Sequence, residues 1–201
     1  SGGSTAVVLG ADVTLDTTLS AGSGNINLLG AVNGAYSLAL NSAGTTTLGA
    51  AVGGTTALKS ITTDAPGTVA INGGSVKTSG AQTYNDAATL GADATLTTTS
   101  NGSLTFNGSV NASGKTLTVD ANGNGNFTAT NSANNFATVN VTNANDVSIT
   151  DTNALTLGAI AIGRDLTVNS TGALSLGQGS IGRNLVANSN GGAITQDTTS
   201  G

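Results

Sequence analysis

The chain has 201 residues, 7% charged and 2% aromatic, with no Cys, His, Met or Trp and a formal net charge of −5. Five basic residues cannot build the electrostatic footprint of a nucleic-acid binder. The lack of Cys excludes disulfides and thiolate metal sites, and no apolar run reaches the roughly 18 residues of a membrane span. Hydrophobic residues at 37% with so little charge argue against a disordered tail, and the shortage of rings suits a thin core of Val, Ile, Leu and Ala. Strand and turn formers dominate, so helix is expected almost nowhere.

From the N terminus, SGGSTAVVLG carries neither a Met start nor a basic leader, as expected of a piece of something longer. LGADVTLDTT (9–18) then opens a series of short alternating stretches. SLALNSAG (37–44) follows, then LGADATLTTT (90–99), Leu104/Phe106, Leu117/Val119, Val139/Val141, Val147/Ile149, Leu155/Leu157, Leu166/Val168 and Leu174/Leu176. Apolar residues two apart point one row inward and the intervening polar row outward on a strand. Gly, Asn and Asp separate the stretches and supply turn conformations.

Two nested periods organise these strands. LGADVTLDTT returns as LGADATLTTT after 81 residues with eight of ten positions identical, and SLALNSAG matches TLTVDANG (116–123) at a separation of 79. Near the C terminus IGRDLTVNS (162–170) returns as IGRNLVANS (181–189) after 19 residues, and GALSL (172–176) aligns with GAITQ (192–196) after 20. Strands this short are not stable as isolated hairpins, but stacked coils pair above and below. The reading is all-β: one right-handed parallel β-helix, a β-solenoid over 1–201 with coils of about 19–20 residues. Super-repeats lie near 9–86 and 90–150, and coil repeats at 162–180 and 181–199. About ten coils at ~4.8 Å give a rod roughly 45–50 Å long. Leu166 should lie under Leu185, Val168 under Ala187 and Asn169 under Asn188, with Thr167 and Val186 outward. No amphipathic cap is visible before Ala6 or after Ile194, so the terminal coils should expose apolar area.

GRDLTVNSTGALSLGQGSIGRNLVANSNGGAITQ (163–196) resembles the repeats of filamentous-haemagglutinin-type exoproteins. The stretch TTALKSITTDAPGTVAINGGSVKTSGAQTYNDAATLGADATLTTT (55–99) is similar to the β-strand repeats of giant Gram-negative surface adhesins. The resemblance implies export by two-partner secretion or autotransport and display on the cell surface. It also implies a part in adhesion, biofilm or contact-dependent interaction. The implied partners are neighbouring repeats of the same polypeptide and surface glycans or proteins.

The inventory for chemistry is thin. Without His, Cys or Glu, acid–base work falls to Asp alone. Asp12 with Asp16, and Asp146 with Asp151, are close in sequence, and both pairs read as turn residues. Arg164 and Arg183 fall in register as solvated turn residues beside Asp165, with a two-step anion site as the alternative. GNGN (123–126) lacks the aspartate of a calcium-solenoid nonapeptide. Sequons at Asn101, Asn126 and Asn140 follow from composition. Tyr36 and Tyr84 would serve a sugar only if exposed. Thr95/Thr97, Thr116/Thr118 and Thr128/Thr130 form outward T-x-T pairs, but the later positions Thr138/Asn140 and Thr167/Asn169 break that array. The expectation is therefore a structural stalk or spacer of a secreted adhesin, not an enzyme, with no catalytic, cofactor or metal residues. A binding face for glycan, matrix or ice is the alternative, and a polysaccharide-cleaving β-helix the remote one.

Overall fold

Val13, Leu38, Ile61, Gln82, Leu104, Phe127, Val147, Leu166 and Leu185 stack one on the next, each paired in parallel register with its neighbour. The structure, a computed structural model, describes residues 5–19 and 24–196. Among these there is no helix, and the named ladders are all parallel. The chain is a β-solenoid of eight full coils, about 38 Å long at ~4.8 Å per step.

Each coil has three faces. Face 1 is the nine-stranded sheet running from Val13–Asp16 to Leu185–Asn188. Faces 2 and 3 belong to the twelve-stranded sheet. In the fourth coil they are Ala87–Leu90 and Ala94–Thr98. Further along they run together as one strand, Val110–Asp120, then Asn135–Ala144, then Leu155–Ile162. The merging follows from the corner residues. Asn72-Gly73-Gly74 and Gly91-Ala92-Asp93 break the strand in earlier coils. Ser113-Gly114-Lys115 crosses the same corner inside a strand, with Gly114 at φ 66°. One coil later Phe136 pairs with Ala112 and Thr138 with Thr116, so two of the corner residues have gone.

That erosion corrects the coil length. The steps along face 1, from Val13 to Leu38 and onward to Leu185, are 25, 23, 21, 22, 23, 20, 19 and 19 residues. Only the C-terminal coils have the expected 19–20, because the earlier ones carry longer corners. The count of coils falls accordingly, from about ten to eight.

The 81-residue match also acquires a geometry. Val13–Asp16 lies on face 1, whereas Ala94–Thr98 lies on face 3, twelve residues past the face-1 residue Gln82. Likewise Ser37–Asn41 lies on face 1, while Thr116–Asp120 continues face 3. Similar sequence serves different faces because every face asks the same thing of a strand: an apolar residue, a polar one, an apolar one.

The core is a set of inward columns. On face 3, Val32, Val52, Val76, Leu96, Val119 and Val141 are linked bridge by bridge and all buried. On face 1 the second inward column carries Tyr84, Phe106 and Ala129. Tyr84 stacks on Phe106 with ring centroids 4.7 Å apart, and Phe106 meets Phe127 edge-on at 6.5 Å. Gln82 sits in the same core without an unmet group. Its amide donates to Val76 O and Thr97 O, and its Oε1 accepts the Tyr84 hydroxyl at 2.9 Å. Phe106→Ala empties the centre of this aromatic run. It should cost about 3–5 kcal/mol of unfolding free energy, read as a lowered urea midpoint.

The expected stacking of Leu166 under Leu185, Val168 under Ala187 and Asn169 under Asn188 is present, with Thr167 and Val186 outward. Leu166 is 1% exposed and Leu185 45%. Val186 and Ile194 at that end, and Val7 and Val8 at the other, also show apolar surface.

Candidate functional site

The carboxylates paired by sequence proximity do separate structural work. Asp12 accepts the N–H of Ser37 in the next coil at 2.8 Å, which holds its carboxyl below the usual range. Asp16 accepts the Thr18 hydroxyl and N–H and the Asn41 amide, and is lowered for that reason. Asp146 and Asp151 stand at opposite ends of one face-1 strand and its approach. Asp146 faces Arg164 at 3.6 Å, and Asp165 faces Arg183 at 3.3 Å, so each arginine pairs with an aspartate of the coil before it. Both pairs are largely solvated and worth little individually. Asp151 turns inward, accepts the N–H groups of Phe136 and Asn153, and is raised by burial despite them.

These residues belong to a corner device repeated from coil to coil. Just before face 1, the residue at one position accepts the backbone N–H of its successor: Ser103 from Asn126, Asn126 from Asp146, Asp146 from Asp165, Asp165 from Asn184. Ser, Asn and Asp all offer a short side-chain oxygen there, which explains their interchange between repeats. Amide–amide bonds join Asn107 to Asn85, Asn122 and Asn124 to Asn101, and Asn153 to Asn135. GNGN is a turn, with Gly123 at φ 75° and the Gly125 N–H on Ala121 O. Among the described residues no group of three or more Asp gathers as metal ligands would, and no helix is long and apolar enough to cross a membrane.

Tyr84 is fully buried, so the sugar-stacking alternative fails there; Tyr36 is 39% exposed. The threonines divide by face. On face 3 the outward row does change, from Ser75 to Thr95, Thr118 and Asn140. On face 1 a hydroxyl persists through the middle coils, between Ala39 and Val186. Thr62, Thr83, Thr105, Thr128, Ser148 and Thr167 form one continuous outward column over six coils. Sequence reading missed this column because unequal coil lengths hide its period. A shallow groove of about 360 Å³ lies where the face 2–face 3 corner is tightest, lined by Thr156, Gly158, Ser175 and Gly177 among others.

Much of the surface is thus built of ladders in which a short polar side chain recurs from coil to coil. At the level of sequence the last coils have a known likeness. Repeats of unknown function (DUF5649) match residues 144–175 and 163–201. The matched residues are those where the coil step settles to 19, so this repeat family and the regular part of the solenoid coincide. No curated protein and no solved structure matches the chain.

Proposed function

We propose that this segment is a structural spacer of a large secreted bacterial surface adhesin of the filamentous-haemagglutinin-like type. In this reading it is exported by two-partner secretion or autotransport and displayed outside a Gram-negative cell. The observation that carries it is the parallel stacking of eight coils, continuous in register along face 1, with side chains such as Asp12, Asp146 and Asp165 bonded to the coil above. Such a unit transmits distance and stiffness, since each coil needs only its neighbours and adds ~4.8 Å. It carries no catalytic or metal centre of its own, and its adhesive or contact-dependent activity lies elsewhere in the protein. Its partners here are the adjoining repeats.

The test is to remove residues 82–146 from the full-length exoprotein, which joins one face-1 strand start to another. The spacer reading expects normal export, a fibre shorter by about 14 Å, and unchanged distal adhesion. Loss of adhesion with export and folding intact places a receptor site in this segment and sinks it.

A second reading has its own observation. The hydroxyl column from Thr62 to Thr167 gives face 1 a flat, uncharged, evenly spaced row that suits glycan, matrix or ice. The triple variant Thr83→Lys, Thr105→Lys, Thr128→Lys separates the two, because a recognition face loses binding and a spacer does not.

A further inference from the structure

Asp86 is out of place among these ladders. It is 1% exposed, and both carboxylate oxygens are buried with no hydrogen-bond partner. The corner between faces 1 and 2 explains how it got there. The coil before it passes this corner through Asp64-Ala65-Pro66-Gly67, whereas Asp86's own coil takes only Asn85 and Asp86 between Tyr84 and Ala87. The shorter path draws the aspartate inside, and glycines make the room. A methyl group on Gly67 would collide with Ser42 O and lie 2.7 Å from Asp86 Oδ1 and 3.1 Å from Gly44 O. A methyl on Gly108, in the coil above, would collide with the Asp86 carbonyl. Asp151, turned inward at the same corner three coils on, has two N–H donors on its carboxylate.

The surroundings of Asp86 therefore offer oxygen where an anion needs hydrogen. Of the corner residues stacked here (41–45, 64–68 and 107–109), Asp64 is the one titratable side chain, and it bears the same charge. The Thr63 hydroxyl, which accepts the N–H groups of Asn85 and Asp86, gives partial relief.

We propose that Asp86 is a proton-operated lock on this corner: protonated, it becomes a donor among the backbone oxygens that ring Gly67, and ionised, it has only the Thr63 hydroxyl to set against burial and the charge of Asp64. Burial first, and then the charge of Asp64, push its carboxyl up to about 6. The folded state thus holds this proton more tightly than the unfolded chain does. The stabilisation it brings is complete below the ordinary carboxylate range and lost as pH rises through about 6.

The experiment is a carboxyl-carbon NMR titration of the chain, with urea midpoints at pH 5 and pH 7.5 for wild type, Asp86→Asn and Asp64→Asn. Asp86 should titrate near 6, and the wild-type midpoint should be higher at pH 5. Asp86→Asn, whose amide donates at any pH, should lose most of that difference, leaving what Asp151 contributes with the same sign. Asp64→Asn should move the Asp86 titration to lower pH. A midpoint for Asp86 in the ordinary carboxylate range overturns the proposal even if the variants fold poorly. An undiminished pH difference in Asp86→Asn overturns it as well.

Discussion

Leu96→Asp should abolish the cooperative rod. Leu96 is 0% exposed at the middle of the face-3 column, paired with Val76 below and Val119 above. The nearest base, Lys77 in the strand below, lies on the outward row beside Val76 and faces away from the column, and the arginines lie coils further on. An unpaired carboxylate there should cost about 4–5 kcal/mol or more. That is comparable with the whole stability of many domains, roughly 5–15 kcal/mol. The measurement is urea unfolding followed by far-UV circular dichroism, and a wild-type midpoint would contradict the inward assignment. Leu166→Asp has a similar local cost but a shorter reach. The coil above it already carries a half-exposed Leu185, so the last two coils should lose amide protection while the rest stands.

Removing the fourth coil, residues 82–103, should leave a shorter rod that still unfolds in one transition. The junction places Leu104 over Ile61, face 1 on face 1, and the inward columns stay continuous. Removing residues 82–93 instead should split the rod, although fewer residues are lost. Ala94–Thr98, built for face 3, would then follow directly on the corner that leads to face 1. Every strand beyond would be turned by one face, and merged strands such as Val110–Asp120 would meet corners made for shorter ones. Two unfolding steps, one for each block, are the expected result. Equal behaviour of the two deletions would mean that the three faces are interchangeable.

How far the sequence spoke depended on how local the relevant physics is. The alternation Leu166-Thr167-Val168 sets inward and outward rows through two-residue periodicity alone, and the 19-residue return to Leu185-Val186-Ala187 sets parallel register. Both are short-range patterns, and both were legible. Coil length elsewhere was not, because it is fixed by corner residues such as Ser113-Gly114-Lys115, whose insertion leaves the apolar pattern on either side unchanged. The same corners scatter Thr62, Thr83, Thr105, Thr128, Ser148 and Thr167 at unequal spacings, so their column emerges only once the register is known. Asp86 is the clearest case. Nothing in Thr83-Tyr84-Asn85-Asp86-Ala87 distinguishes it from the turn aspartates Asp12 or Asp16. What turns it inward is the two-residue corner of its own coil, set on a four-residue corner in the coil beneath.

The direction of the backbone hydrogen bonds has a consequence for force. In this solenoid they point from coil to coil, along the long axis, so a pull on the two ends loads them in line rather than across the strands. Ladders loaded in that way open one step at a time, like a seam unpicked from its end. Each 19-residue coil let go trades ~4.8 Å of rod for about 63–68 Å of extended chain. The chain would thus lengthen more than tenfold, coil by coil, while the coils still closed kept their shape.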